Sequence, residues 1–168
     1  LKERFGRLEG LKLVFVGDGN NVCHSLMLGG ALSGMHVTWT GPRGFEPNLR
    51  IADIARRLAA RHGATIDCSH DLVSALSGAD VVYTDVWASM GQEKEAEEKN
   101  RKFRPYQVNA RAFGLAKPTA VFMHCLPAHR GDEVTDDVAD HERSVIFDEA
   151  ENRLHAIKAV YLALILGM

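Results

Sequence analysis

The sequence predicts an α/β protein with an open, mainly parallel sheet and helices on both of its faces. Short runs of β-branched and aromatic residues alternate with longer helix-like segments along most of the 168 residues. This alternation is typical of a parallel sheet, because parallel strands need crossover connections between them. The length suits one domain with its own hydrophobic core. Together these observations predict a Rossmann-like architecture.

Five strands are expected, each a short run bounded by turn-forming residues. The first, LKLVFV, stops at Gly17, and the second, HVTWT, stops at Gly41-Pro42. A sixth strand is expected at residues 144–147. In chain order, the first five cover residues 11–16, 36–40, 64–68, 80–84 and 120–123.

The segments between the strands carry helix signals. Residues 21–32 are rich in small and apolar side chains, and residues 49–62 place arginines between apolar positions before Gly63. A short helix is expected at residues 71–76. The final helix is expected from about residue 149 to 166, and its apolar residues are too numerous for one stripe.

Two connections stand out from the others. One covers residues 85–119, and its part 92–102 is charged and nearly free of apolar side chains, while the other, 124–133, is irregular. Both follow the carboxyl ends of predicted strands, where ligands bind in open α/β sheets. With the turn after the first strand, three segments are candidates for the site: residues 17–21, 85–93 and 124–131.

Composition and charge exclude several classes of protein. Twenty basic and 22 acidic residues leave a net charge of −2 without a basic stripe, so no nucleic-acid partner is expected. Cys23, Cys68 and Cys125 form no CxxC or zinc pattern, so neither a disulfide framework nor a metal is expected. Residues 1–10 are no signal peptide, and the apolar run 159–168 is too short to span a bilayer. We therefore expect a cytoplasmic protein without a membrane partner.

The turn GDGNN at residues 17–21 admits three interpretations. Its glycines, followed by a helix start, suit a dinucleotide-binding turn. However, Val22 replaces the third glycine of GxGxxG, and no acid closes the second strand to bind a ribose. Alternatively, Asn20 and Asn21 only cap the helix, or an amide and free backbone N–H groups hold a carboxylate.

The segment DVWASMGQE starts with Asp85, at the end of a strand expected to be central and buried. A buried carboxylate is costly without a partner, so a cationic partner is expected. The alternatives are a solvated loop position or a helix cap. Ser89, Met90 and Gly91 offer a hydroxyl and a flexible backbone in a loop able to close.

The segment HCLP follows the fifth strand. His124 and Cys125 suggest a thiol with a base, but neighbouring strand residues point in opposite directions and are poorly placed to exchange a proton. Cys125 is then a small buried hydrophobe.

Arg153, near the start of the last helix, opposes the usual preference for acids there. An anionic ligand would explain it, and so would an ion pair with Glu149 or Glu151.

Four motifs occur in a fixed order along the chain: GDGNN, DVWASMGQE, HCLPAHRGDE and DEAENRLHA. In this order they resemble the carbamoyltransferase family, and the resemblance runs from about Gly10 to the end. HCLP and ENR are shared across that family, whereas Ser-Met-Gly after Asp-Val-Trp is the narrower signature for ornithine as second substrate. The chain resembles the ornithine-binding half of ornithine carbamoyltransferase.

This resemblance implies transfer of a carbamoyl group from carbamoyl phosphate to the δ-amine of L-ornithine, giving L-citrulline and phosphate. No cofactor is implied. Asn21 would hold the ornithine carboxylate or amino-acid head, and Asp85 would accept from the α-ammonium. Ser89 and the Met90 backbone would complete that pocket.

The other implied site residues lie at the transfer end. Cys125 and the Leu126 carbonyl would lie beside the δ-amine and the carbamoyl group, and Arg153 would reach the carbamoyl phosphate. The residues implied as catalytic are Asp85, Cys125 and Arg153.

The family also has an N-terminal half with a Ser-Thr-Arg-Thr phosphate loop, a motif that this sequence does not contain. The resemblance therefore implies an ornithine-binding domain over residues 1–168 without the carbamoyl phosphate-binding domain. It also implies a homotrimer for the complete enzyme, which serves arginine biosynthesis or the urea cycle, and little activity for this half alone. The last helix returns to the first half in that fold, so residues 160–166 should expose an apolar patch.

Two alternatives belong to other classes of function. A non-catalytic amino-acid-binding module would need the head-group pocket but neither Cys125 nor Arg153. A nucleotide-dependent oxidoreductase is disfavoured by Val22 and by the missing acid after the second strand.

Overall fold

A computed structural model of the protein describes residues 1–87 and 93–167. Its strands form a five-stranded sheet in which every neighbouring pair is parallel. The strands are β1 (Lys12–Val16), β2 (His36–Thr40), β3 (Ile66–Ser69), β4 (Val81–Thr84) and β5 (Val121–His124). Their order across the sheet is β3-β2-β1-β4-β5, which places β1 at the centre.

Helices connect the strands and follow the last one. The described part contains α1 (Lys2–Phe5), α2 (Asn21–Leu32), α3 (Leu49–Arg61), α4 (Leu72–Leu76), α5 (Glu93–Phe103), α6 (Ala110–Phe113), α7 (Asp136–Ala139) and α8 (Ile146–Leu166), with a 3-10 turn at Arg104–Tyr106. None of the helices in the two described ranges is long and apolar enough to cross a membrane.

The alternation of side chains along β1 divides the hydrophobic core between the two faces of the sheet. Leu13 and Phe15 belong to a buried cluster that includes residues of α2 and α3. Val14 and Val16 belong to a second cluster, which includes residues of α4, α6 and α7. Because successive strand residues point to opposite faces, helices cover both sides of the sheet. The predicted fold class is confirmed.

The sixth strand expected at residues 144–147 is wrong. Ser144 forms only an isolated parallel bridge with Phe122, and α8 already begins at Ile146. A short apolar run does not by itself distinguish a strand from the buried first turn of a helix. Here the side chain of Ile146 is buried in the core and anchors the start of α8.

The long connection expected after β4 contains a helix that the sequence did not predict. Most of this helix, α5, lies in the charged stretch at residues 92–102. The sequence of this helix, EKEAEEKNRKF, is rich in residues with high helix propensity. Phe103 at its end is fully buried, with its ring centroid 4.8 Å from Phe45 and 5.8 Å from Trp87. Because α5 has so few apolar residues, its sequence lacks the apolar periodicity by which a helix is predicted.

The backbone approaches itself closely at the turn after β1. A Cβ atom on Gly19 would lie 2.3 Å from the backbone nitrogen of Pro47, which leaves no room for a side chain. The carbonyl of Gly17 accepts a hydrogen bond of 2.8 Å from the Trp39 indole. These contacts hold the turn between β1 and α2 against β2 and against the segment that precedes α3.

Helix α8 exposes apolar side chains along its second half. We call these residues the α8 apolar surface: Val160, Tyr161, Leu162, Leu164, Ile165 and Leu166. The predicted exposure of residues 160–166 is confirmed. A contiguous apolar area of this kind marks an interaction surface.

We expect this surface to cause association of the chain. Leu164 and Ile165 are 76% and 77% exposed, so changing both to lysine should reduce association without lowering the midpoint of thermal unfolding. Sedimentation velocity over a range of concentrations would measure the association. Leu49 on α3 is 74% exposed and provides the control, because Leu49→Lys should leave association unchanged. Equal association of all three proteins would contradict the prediction.

Candidate active site

The described parts of the three candidate segments, residues 17–21, 85–87 and 124–131, meet at one edge of the sheet. Strand β4 pairs with both β1 and β5, and the register aligns their last residues, Val16, Thr84 and His124. The residues that follow these positions include Asp85 and Cys125. The structure therefore brings the candidate segments together at the carboxyl edge, where open α/β sheets bind ligands.

The carboxylate of Asp85 is the centre of the site and is buried, with 9% of the residue exposed. Its Oδ2 accepts a hydrogen bond of 2.7 Å from Asn20 Nδ2. Its Oδ1 accepts from the Val86 N–H at 2.8 Å and from the Cys125 thiol at 3.1 Å. All three of these donors are neutral, so within the described residues they satisfy the oxygens without supplying a positive charge. A cationic ligand would be the partner that offsets the cost of burying this carboxylate.

Asn20 is the N-cap of α2. Its Oδ1 accepts from the backbone N–H groups of Val22 at 3.0 Å and Cys23 at 3.1 Å. Asn21 is the exposed first residue of the same helix, so its amide is accessible to a ligand. The capping interpretation thus holds for Asn20, and a ligand-binding role remains open to Asn21.

The half-buried Cys125 is a hydrogen-bond donor in this site. Burial, and after it the hydrogen bond to Asp85, raise the pKa of the Cys125 thiol to about 12. The thiol therefore stays protonated near neutral pH, which suits a donor and not a nucleophile. Its partner is a carboxylate and not the neighbouring imidazole, as the opposite directions of adjacent strand residues predicted.

The fully buried pair of His124 and Glu133 supports the backbone after β5. His124 Nδ1 accepts from the Leu126 N–H at 2.8 Å, so its Nε2 carries the proton and donates to Glu133 Oε1 at 3.2 Å. Leu126 has a φ of 55°, a left-handed conformation that a leucine rarely adopts. The bond from its N–H to His124 helps to hold that conformation.

A second buried contact ties the start of α8 to β4. The Tyr83 hydroxyl donates to Glu149 Oε1 at 2.6 Å. Burial raises the pKa of the Glu149 carboxyl, and burial also raises the pKa of Tyr83. The contact fixes the first turns of α8 relative to the site.

A groove of about 610 Å³ runs between the HCLP segment and α8. Arg153 lines it from an exposed position on the helix. The two acids considered as its ion-pair partners are engaged elsewhere, Glu149 with Tyr83 and Glu151 with His155 at 3.7 Å. Within the described residues, neither acid forms an ion pair with Arg153, and binding of an anionic ligand stays a prediction. Cys125 and Leu126 line the same groove as Arg153.

An ion pair connects α5 to the GDGNN turn. Lys99 Nζ lies 2.6 Å from Asp18 Oδ2 and 5.6 Å from the centre of the Phe45 ring. Lys99 and Asp18 are both partly sheltered from solvent, which reduces screening of their attraction. The contact joins the helix that follows the 85–93 segment to the turn that carries the asparagines.

Four of the predicted site residues lie together. Asp85 contacts Cys125 directly, and Cys125 shares the groove with Leu126 and Arg153. Asn21 follows the Asn20 residue that binds Asp85, so it lies at the same edge.

Ser89 and Met90 lie outside the described residues. Within residues 1–87 and 93–167, no three His, Cys, Asp or Glu side chains are grouped closely enough to hold a metal ion.

Five further residues have contacts at the site that the sequence did not indicate: Asn20, Tyr83, His124, Glu133 and Glu149. Asn20 was recognisable as a cap, but its bond to Asp85 was not. The pairs His124–Glu133 and Tyr83–Glu149 join positions 9 and 66 residues apart. No local sequence signal identifies such pairs, because the fold alone brings them together.

Comparison with known proteins identifies relatives over nearly the whole chain. Residues 9–164 match the family described as aspartate/ornithine carbamoyltransferase, Asp/Orn binding domain. The ornithine carbamoyltransferase of Thermococcus kodakarensis is 56% identical over 165 residues, which are 98% of this chain and 52% of that protein. That of Pyrococcus horikoshii is 57% identical with the same coverage.

Solved structures agree with the sequence comparison. The ornithine carbamoyltransferase of Pyrococcus furiosus superimposes with a TM-score of 0.92 at 55% identity, over 96% of this chain and 51% of that one. The chain thus spans about half the length of the curated relatives that it matches. From the match over residues 9–164 and these identities, the chain belongs to the aspartate/ornithine carbamoyltransferase family.

Proposed function

We propose that this chain is the ornithine-binding half of an ornithine carbamoyltransferase. The reaction transfers the carbamoyl group of carbamoyl phosphate to the δ-amine of L-ornithine and yields L-citrulline and phosphate. The observation that carries the proposal is the buried Asp85 carboxylate, held by neutral donors and one hydrogen bond away from the groove that contains Arg153. The names of the matched relatives support the same reaction.

The amino-acid head of ornithine fits the end of the site formed by β1 and β4. Its α-ammonium would supply the positive charge that the partners of Asp85 lack. Its carboxylate would be held by Asn21 and the start of α2, where helix N–H groups and the helix dipole favour an anion. Ser89 and the Met90 backbone, outside the described residues, would complete this pocket.

The δ-amine would lie beside Cys125 and the Leu126 carbonyl. It must be neutral to attack the carbonyl carbon of carbamoyl phosphate. A new C–N bond then forms, the C–O bond to phosphate breaks, and a proton of the amine leaves with the phosphate. The Leu126 carbonyl can accept from the amine and orient it. Because the raised pKa keeps Cys125 protonated, the thiol donates hydrogen bonds and forms no covalent intermediate.

The phosphate end would be bound by Arg153. A guanidinium binds phosphoryl oxygens through two parallel hydrogen bonds, and its charge would stabilise the departing phosphate. Catalysis then consists mainly of positioning two substrates, which contributes up to ~7–11 kcal/mol in favourable systems. We assign catalytic roles to Asp85, Cys125 and Arg153 and no role to a cofactor.

The chain accounts for half of such an enzyme. We place the carbamoyl phosphate-binding domain outside residues 1–168 and expect the complete enzyme to be a homotrimer. The α8 apolar surface would then contact that other domain. The enzyme would act in the cytoplasm, in arginine biosynthesis or the urea cycle, without nucleic-acid or membrane partners.

A chimeric enzyme tests this proposal. Residues 1–168 are fused to the N-terminal half of the Thermococcus kodakarensis relative, which is 56% identical over the matched region. We expect the fusion to form citrulline from carbamoyl phosphate and ornithine, and the 168-residue chain alone to form almost none. Citrulline formation by the chain alone would place a complete carbamoyl phosphate site within it. Ornithine binding by a folded but inactive fusion would favour the amino-acid-binding module.

The change Asp85→Asn tests the head-group assignment. It keeps the size of the side chain but removes the charge that pairs with the α-ammonium. We expect the Kd for L-ornithine, measured by NMR titration of the chain, to rise about 10- to 100-fold. Asp67→Asn changes an exposed acid on β3 and should leave the Kd unchanged. An unaltered affinity in Asp85→Asn would refute the assignment.

The change Arg153→Ala tests the phosphate end. In the fusion, we expect kcat/KM for carbamoyl phosphate to fall about 100-fold or more, because charge stabilisation of the leaving group is lost. Binding of ornithine to the 168-residue chain should stay as in the wild type. Arg57→Ala, at an exposed position on α3, controls for loss of a surface charge. Normal turnover of Arg153→Ala would show that the guanidinium has no part in the reaction.

A further inference from the structure

The side chain of Asn20 is fixed in one orientation by its own contacts. Its Oδ1 accepts from two backbone donors of α2, the N–H groups of Val22 and Cys23. Rotating the amide by half a turn would place its NH2 group against these donors. Only the Nδ2 atom can therefore face Asp85, to which it donates at 2.7 Å.

This bond determines how much of the Asp85 carboxylate is left for a ligand. Each carboxylate oxygen offers about two acceptor directions. Oδ1 uses both, for the Val86 N–H and the Cys125 thiol, whereas Oδ2 uses one, for Asn20. Counting the contacts of the described residues, one acceptor direction remains, and it lies on Oδ2, the oxygen that accepts from Asn20.

Asn20 also links the two ends of the head-group site. Its backbone continues into Asn21 at the start of α2, and its side chain ends on Asp85 at the end of β4. One side chain thereby connects the expected carboxylate-binding and ammonium-binding groups directly, across the ends of the paired strands β1 and β4. A residue that only caps α2 would not need the second contact, since serine and threonine cap helices as well.

We propose that Asn20 is a positioning residue that selects substrates bearing an α-ammonium group. By holding Oδ2 of Asp85, it directs the remaining acceptor toward the head group of an α-amino acid. Amino acids with the same carboxylate and terminal amine but no α-amino group are disfavoured. This inference rests on the proposed function, because it assumes that Asp85 binds the ammonium of the substrate.

The test compares L-ornithine with 5-aminopentanoate, which has the same carbon chain, carboxylate and terminal amine but lacks the α-amino group. NMR titrations of the 168-residue chain give a Kd for each. The wild type should prefer ornithine. In Asn20→Ser the helix cap is kept, but the shorter side chain cannot reach Asp85, so the preference should fall about tenfold or more. The Kd for 5-aminopentanoate should stay within about twofold, because that ligand does not use the ammonium site.

Matched variants separate positioning from structural effects. Asn109 caps α6 by accepting from the Ala112 N–H, so Asn109→Ser makes the same change at another cap and should preserve the preference. In an Asp85→Asn background, Asn20→Ser should cause no further loss, because it acts through Asp85. The amide region of the NMR spectrum shows whether each variant is folded. If Asn20→Ser is unfolded, Asn20→Thr is tested in its place.

Other results of these titrations would contradict either the role of Asn20 or the assignment of Asp85. An unchanged preference in a folded Asn20→Ser would reduce Asn20 to a helix cap and leave the proposed function standing. Equal weakening of both ligands would also refute selection of the α-ammonium group. If the wild type binds neither ligand, or both equally, the assignment of Asp85 falls and this inference falls with it.

Discussion

The site depends on one interaction, the set of hydrogen bonds that the buried Asp85 carboxylate receives, whose donors among the described residues are all neutral. Burying an ion costs several kcal/mol unless its hydrogen bonds are supplied. Asp85 obtains them from an asparagine side chain, a backbone N–H and a thiol, which come from the ends of β1, β4 and β5. The donors can converge only because those strands are parallel neighbours in register. The sheet thus positions a buried carboxylate that, in the proposed function, the α-ammonium group of ornithine would neutralise.

A second layer of buried contacts keeps that arrangement in place. The His124–Glu133 pair holds the backbone that carries Cys125 and Leu126, and Tyr83 holds α8 through Glu149. Burial raises the pKa values of both Cys125 and Glu149, since each charged form would lose hydration. In the proposed reaction, the groove between these elements would present a neutral thiol to the reacting amine and an arginine to the departing anion.

The α8 apolar surface connects this site to the rest of the proposed enzyme. The same helix carries Arg153 near its start and exposed Leu164 and Ile165 near its end. Contact of those leucine and isoleucine side chains with another domain would bury apolar area and thereby stabilise the position of Arg153. Substrate chemistry and domain association would then be coupled through one helix. The match of this chain to relatives of about twice its length agrees with that arrangement.

The amino-acid sequence by itself determined the fold class and the five strands. It also indicated three candidate segments for the site and, through the family resemblance, the candidate site residues Asn21, Asp85, Ser89, Met90, Cys125, Leu126 and Arg153, whose roles stay predictions. Strand and turn patterns are local, and four ordered motifs identify a family even when each alone is ambiguous. Only the tertiary structure decided that Asn20 holds Asp85, that Glu133 and Glu149 support the site, and that residues 144–147 begin a helix. These depend on contacts between residues distant along the chain, whose partners no local pattern specifies. The short run at residue 144 suited both strand and helix, and the packing of Ile146 in the core favoured the helix.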